Sequence, residues 1–219
     1  MAPELHILRA DRDIAVCVKP VGTLSEEPGM PALLREQLGG GAWCVHRLDR
    51  AVGGVMVYAR TQTAAAKLSQ AVADRALVKE YLAVCRGVPE PAAGVMEDLL
   101  FKDSGKNKAF VVKRARKGVK PARLSYQVLA AADTPDGPVS LVRVRLDTGR
   151  FHQIRVQFAS RGMPLAGDRK YGLPDDPIAP LALWAYRLSF THPETGREMT
   201  FTHLPPQTEP WTRFALPLT

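Results

Sequence analysis

The run His46-Arg47-Leu48-Asp49-Arg50 sets one carboxylate between two guanidiniums, directly ahead of the apolar segment Gly54-Val55-Met56-Val57-Tyr58-Ala59. A flanking positive charge favours the ionised form of an aspartate. An ionised, partly desolvated carboxylate can work as a nucleophile or as a general base. The same residues would also make an ordinary surface ion-pair cluster, worth little energetically, so the spacing alone leaves both readings open. A second concentration of polar groups, Leu146-Asp147-Thr148-Gly149-Arg150-Phe151-His152-Gln153-Ile154-Arg155-Val156, lies much further along the chain, and Gly167-Asp168-Arg169-Lys170-Tyr171-Gly172 follows it.

The elements that must position these groups can be read from periodicity. Ile14–Val18 is a short apolar run stopped by Lys19-Pro20 and reads as a buried strand, as does Val55–Ala59. Residues 31–38 form a short helix closed by Gly39-Gly40-Gly41, which frees the chain just before Asp49. Thr61 is placed to cap a helix over Gln62–Ala73, with Ala64, Ala65, Leu68, Ala71 and Val72 as its apolar face. Tyr81–Cys85 reads as a strand, and residues 89–94 as a turn-rich connection. Along Leu141–Leu146, Val142, Val144 and Leu146 face one side and Arg143 and Arg145 the other, which is a half-buried strand of period two. Thr148 then caps a helix with Phe151, Ile154, Phe158 and Ala159 inward, stopped at Gly162. Further core comes from residues 181–186 and 188–190. A hairpin turns at His192–Gly196 and returns over Met199–Thr202. Many strands among a few helices predict an α+β fold.

Charge narrows the class of partner. The chain has 219 residues, with 30 Lys and Arg against 22 Asp and Glu, a net charge of +8. That excess favours a polyanion, RNA or DNA first. It is concentrated in residues 102–123, where Lys102, Lys106, Lys108, Lys113, Arg114, Arg116, Lys117, Lys120 and Arg123 surround Ala109–Val112. The segment reads as a solvated hairpin whose charges line a phosphate groove. Cys17, Cys44 and Cys85 are odd in number and dispersed, so neither a zinc site nor a disulfide framework is expected; this fits a reducing cytoplasm. No secretory h-region opens the sequence and no apolar run reaches the ~18 residues of a membrane span. Walker A and GxGxxG patterns are absent. Paired-carboxylate glycoside hydrolysis fits poorly, because Asp49 has no acidic partner in a motif.

Taken together, the motifs resemble those of the RluA family of RNA pseudouridine synthases. Lys19-Pro20-Val21-Gly22 is similar to its KPxG turn, and His46–Arg50 to its catalytic loop. Lys79-Glu80-Tyr81-Leu82-Ala83 is similar to its KxYxA strand and Thr148–Arg155 to its TGRxHQIR segment; the order is the same and the likeness runs from about Asp13 to about Pro205. The resemblance implies one α+β catalytic domain over residues 1–219 (core 13–205), with a mixed, largely antiparallel sheet, flanking helices and a central active-site cleft. It implies isomerisation of uridine to pseudouridine in structured RNA, ribosomal or transfer, without cofactor or metal.

The site residues follow from the same likeness. Asp49 is the essential aspartate, acting at the ribose as nucleophile or base. Arg155 pairs with the catalytic carboxylate, and the ring of Tyr81 stacks on the extracted uracil with its hydroxyl near the carbon that loses a proton. Arg47 helps to displace the target base. Arg50, Lys79, Arg150, Lys113, Arg114, Arg116 and Lys117 are expected to contact RNA. His46, Leu48, His152, Gln153 and Ile154 are expected to be structural. Two departures stand out. The family follows HRLDR with a Thr-Ser-Gly type sequence, whereas Ala51-Val52-Gly53-Gly54 stands here without a hydroxyl, and Trp184 replaces a common histidine. No S4-like RNA-binding domain is expected upstream, so recognition would fall to the domain itself. A cytoplasmic monomer that spans no membrane is expected. The alternative is a non-catalytic RNA-binding or RNA-chaperone protein on the same fold.

Overall fold

The computed structural model describes residues 4–216, so the outermost residues of the expected domain, 1–3 and 217–219, lie outside the described residues. The chain gathers into two compact units. One comprises the chain up to Lys79 together with Trp184–Pro205; the other comprises Glu80–Leu183 and the chain from Pro206 on.

In the first unit, β1 (His6–Ala10) pairs antiparallel with β2 (Ile14–Lys19), and β2 pairs antiparallel with β4 (Gly53–Ala59) from Ile14 opposite Ala59 to Lys19 opposite Gly54. The two-residue strand β3 (Trp43–Cys44) joins the same β4. On its other side β4 runs parallel to β10 (Leu183–Thr191), which forms a hairpin with β11 (Glu198–Thr202). Every residue of β2 and β4 is buried, as expected for strands covered on both faces and written as continuous apolar runs. The helix α1 (Met30–Leu38) ends at Gly39, and α2 (Gln62–Ala73) is capped by Thr61, whose side chain accepts the Ala64 N–H at 3.1 Å. Ala64 and Leu68 of α2 join Ile14, Val16, Val55, Val57, Leu188 and Phe190 in the core.

The two departures at Gly53 and Trp184 are one packing event. A Cβ on Gly53 would lie 2.4 Å from Trp184 Cζ3, and the two residues sit opposite each other in the parallel register. The indole occupies the space a larger residue at 53 would need, and its Nε1–H donates to the His203 carbonyl at 2.9 Å. Gly54 is at φ +123°, and a Cβ there would meet the Ala185 carbonyl oxygen at 2.2 Å, so glycine is required.

In the second unit, β5 (Val78–Arg86) lies beside β9 (Val139–Leu146), followed by β8 (Val119–Ala132), β6 (Ala93–Asp103) and β7 (Lys108–Val112). The pairs β9–β8, β8–β6 and β6–β7 are antiparallel. The parallel β4–β10 pair among these antiparallel ones gives the mixed, largely antiparallel α+β fold that the sequence predicts.

Two local expectations change. Residues 102–123 are not one hairpin: β7 and β8 both pair with β6, so the segment holds a turn, a strand, an exposed loop at 113–118 and the start of β8. Thr148 does not cap a helix. The helix α3 begins at Gln153 and runs to Ala159, after His152 in a left-handed conformation at φ 53°. The Thr148 hydroxyl instead accepts the Arg123 N–H and bonds Gln153 Oε1 at 2.8 Å, and that same Oε1 accepts the Arg150 N–H at 3.0 Å. Gln153 thus ties the loop ahead of its own helix.

Candidate active site

Asp49 occupies a loop of the first unit that the neighbouring segment grips at alternate residues. His46 is buried, and its Nε2 accepts the Val57 N–H at 3.2 Å. Leu48 is held on both main-chain groups by the Ser25 hydroxyl. The Arg50 carbonyl accepts the Gly22 N–H at 2.8 Å, while Arg50 Nε returns a bond to the Gly22 carbonyl, also at 2.8 Å. A turn bond from Val52 N–H to the Asp49 carbonyl at 2.9 Å closes the loop. Asp49 itself is half-buried.

Beneath this loop lies Lys19, wholly buried at the end of β2. Its ammonium donates to the carbonyls of Thr23 at 2.7 Å, Pro20 at 3.0 Å and Arg50 at 3.4 Å. Burial pulls its pKa down to about 8, and the nearby charge of Asp49 works against that fall. The attraction is mutual, so Lys19 favours the ionised carboxylate. The sequence motif contains Lys19, but nothing in its spacing shows that the residue is internal. Burial, with a smaller push from Lys79, takes the His46 pKa down to about 3. His46 is therefore neutral, its Nδ1 carries the proton, and that atom is buried with no hydrogen-bond partner among the described residues. Lys79 is half-buried, and desolvation lowers its pKa too. Arg47 is exposed and pairs with Glu26 at 3.2 Å.

The second unit holds Tyr81, buried on β5, and gathers Arg150, His152, Gln153, Ile154 and Arg155 at the start of α3. Arg155 is buried and presents its guanidinium fork to Asp168: Nε to Oδ2 and Nη2 to Oδ1, each at 2.7 Å. Asp168 is wholly buried and its Oδ1 also accepts the N–H groups of Lys170 and Tyr171. Two parallel charge-assisted bonds fix the plane of a guanidinium as well as its position. A second buried pair, Arg86 with Asp176, secures the same stretch of chain, since Asp176 also accepts the N–H groups of Gly167 and Ile178. The Tyr171 hydroxyl accepts the Ala109 N–H at 2.6 Å and meets His152 Nδ1 at 2.8 Å. Burial and the charge of Arg155 take the His152 pKa down to about 3. Neither aspartate is identifiable from sequence: Asp168 stands in a noted motif without an evident role, and Asp176 stands in no motif.

The basic segment divides by its surroundings. Lys113, Arg114, Arg116 and Lys117 are exposed on the 113–118 loop. Lys102 lies 4.6 Å from the Phe151 ring centroid, Lys108 5.0 Å from Tyr171 and Arg116 4.8 Å from Phe101. Arg123 is committed to carboxylates, bonding Glu97 and Asp147. Arg150 Nε donates to the Pro121 carbonyl at 2.9 Å, which holds it against β8. No cluster of three or more His, Cys, Asp or Glu suited to a metal occurs among the described residues, and no helix among them is long and apolar enough to cross a membrane.

The sequence model of the RNA pseudouridylate synthase family matches residues 13–160. The dual-specificity RNA pseudouridine synthase RluA of Escherichia coli (strain K12) is 38% identical over 208 residues, 91% of this chain and 92% of that protein. A protein described as an uncharacterized RNA pseudouridine synthase of Aquifex aeolicus is 34% identical over 93% of this chain and 70% of its own. Among solved structures, human RNA pseudouridylate synthase domain containing 1 shares the fold with a TM-score of 0.80 at 24% identity, over 95% of this chain and 88% of that one.

Proposed function

The chain belongs to the RNA pseudouridylate synthase family, and on that premise we propose that Asp49 is the group that acts on the ribose of a uridine displaced from its RNA. The protein converts uridine to pseudouridine in RNA. The glycosidic bond from C1′ to N1 breaks, the uracil turns, and C5 joins C1′ while its hydrogen leaves and N1 gains one. Composition is unchanged, so the work of the site is to hold a detached base and a reactive ribose in register.

The observation that carries the assignment is the fixing of the residues on either side of Asp49, Leu48 by Ser25 and Arg50 by Gly22 and Lys19, with a buried ammonium that favours the charge of Asp49. An ionised carboxylate on a rigid loop is what attack or proton removal at a ribose needs. Tyr81 and Arg155 keep the roles the resemblance implies, the ring on the uracil and the guanidinium on the catalytic carboxylate Asp49. The fork to Asp168 is a different pairing, and it supports that role only by fixing the plane in which the guanidinium is presented. A stacked or paired uridine must leave its helix to be reached, at a cost of a few kcal/mol. Arg47, exposed and paired with surface Glu26, can swing into the vacated place. Lys113, Arg114, Arg116 and Lys117 take phosphates of a structured ribosomal or transfer RNA.

One copy of a single catalytic domain acting in the cytoplasm is part of this proposal, in keeping with the dispersed free cysteines. A binding-only protein on the same fold finds no support in relatives described as synthases. Pseudouridine mapping in cells lacking the protein tests the reading and identifies the RNA: a site lost on deletion returns with wild type and not with Asp49→Asn. If no site changes under conditions that express the protein, the proposal falls.

A further inference from the structure

Leu48, the residue before Asp49, has both main-chain polar groups satisfied by one side chain. Ser25 Oγ accepts the Leu48 N–H at 3.0 Å and donates to the Leu48 carbonyl at 2.9 Å. Serine and leucine are both buried, 4% and 9% exposed, so water is a poor substitute and each group needs a protein partner. The hydroxyl does for Leu48 what a neighbouring strand would do. Its own position comes from the core: Tyr58, wholly buried on β4, donates its hydroxyl to the Ser25 carbonyl at 3.0 Å. The sequence that follows Arg50, Ala51-Val52-Gly53-Gly54, contains no hydroxyl of its own.

We propose that Ser25 is a positioning residue for Asp49, supplying from the opposite segment the hydroxyl brace that the Asp49 loop lacks. It acts through the Leu48 main chain and touches no reacting atom. The inference rests on the reading of Asp49 as the group acting on the ribose. Removal of the hydroxyl leaves Leu48 free to rotate its peptide planes, and the next residue is the carboxylate. A shift on the order of 1 Å at a reacting group can lower a rate about 10²-fold.

The test compares Ser25→Ala, Ser25→Thr, Tyr58→Phe and Asp49→Asn in single-turnover pseudouridine formation, with enzyme in excess, RNA affinity measured separately and rates referred to folded protein. Ser25→Ala is expected to lose about 10²-fold in rate with RNA affinity unchanged. Ser25→Thr, which keeps the hydroxyl, recovers most of the rate. Tyr58→Phe loosens the same segment but keeps the Ser25 hydroxyl, so it is expected to lose stability and to react at a rate between those of wild type and Ser25→Ala. The inference is overturned if Ser25→Ala reacts at the wild-type rate while Asp49→Asn is inert, or if Tyr58→Phe is as slow as Ser25→Ala. If Asp49→Asn itself reacts like wild type, the assignment of Asp49 fails instead. Should Ser25→Ala not fold, Ser25→Cys, a weaker donor, must be slower than Ser25→Thr; equal rates overturn the role.

Discussion

Replacing Asp168 tests how Arg155 is held. Its carboxylate is wholly inside the protein and receives two guanidinium bonds of 2.7 Å from a residue only 8% exposed in its side chain. Asp168→Ala removes the carboxylate and with it both of these guanidinium bonds, a loss of about 3–5 kcal/mol for a broken buried pair. The N–H groups of Lys170 and Tyr171 lose their acceptor as well, and each orphaned donor adds about 1–3 kcal/mol unless water reaches it. Against a total stability of roughly 5–15 kcal/mol, the alanine variant stands near the limit of folding. Asp168→Asn keeps the shape and one oxygen for the N–H groups but loses the charge, so about 1.5–3 kcal/mol is expected. Urea denaturation followed by tryptophan fluorescence measures both, provided one transition is seen. The sharper check is a double variant. Arg155→Met with Asp168→Leu removes both charges of this pair and is expected to be more stable than Asp168→Ala alone, because the buried guanidinium no longer has to be met by an anion. An alanine variant within about 1 kcal/mol of wild type, or a double variant less stable than it, refutes the reasoning.

Other consequences concern pH, packing and salt. His46 and His152 have pKa values of about 3 in the folded protein against an ordinary 6.5, so the unfolded chain binds more protons between those limits. Stability is then fully present above pH 6.5 and falls toward pH 3 by up to about 1.4 kcal/mol per pH unit for each histidine; His46→Gln should flatten the slope measured by denaturation at stepped pH, and an unchanged slope contradicts the account. Gly53→Ser drives a side chain into Trp184 and is expected to lower the thermal midpoint, whereas adding Trp184→His should restore part of it; additive losses in the double variant would show the two positions are independent. If the exposed 113–117 cations meet phosphates, neutralising Lys113, Arg114, Arg116 and Lys117 reduces the slope of log affinity against log salt by about 0.7–0.9 for each phosphate no longer neutralised, and an unchanged slope removes them from the interface.

What can be read from the chain is local. The buried strands around Val16 and Val57 declare themselves as continuous apolar runs, and Thr61 with the Ala64/Leu68 stripe places α2 at its observed bounds. The motif order alone points to Asp49 and Arg155. The failures are long-range or competitive. Thr148 has the right chemistry for a helix cap, but its hydroxyl goes to Arg123 across the sheet and to Gln153, and the helix starts later. Residues 102–123 hide two strands because β7 shows only the short run Ala109–Val112 between charges, and the start of β8 is polar and carries no apolar run. Ser25, Asp168 and Asp176 depend on partners 23, 13 and 90 residues away, and spacing along a sequence does not encode such pairings. Lys19 misleads by type, since a lysine is expected at the surface unless its charge is met.

The central claim is that Asp49 performs the chemistry. RNA carrying uridine tritiated at C5 reports it directly, because joining C5 to C1′ expels that hydrogen to water. Wild-type protein should release tritium in step with pseudouridine formed, while Asp49→Asn, folded and still binding the RNA, should release none above background. Release by Asp49→Asn at the wild-type rate would contradict the account.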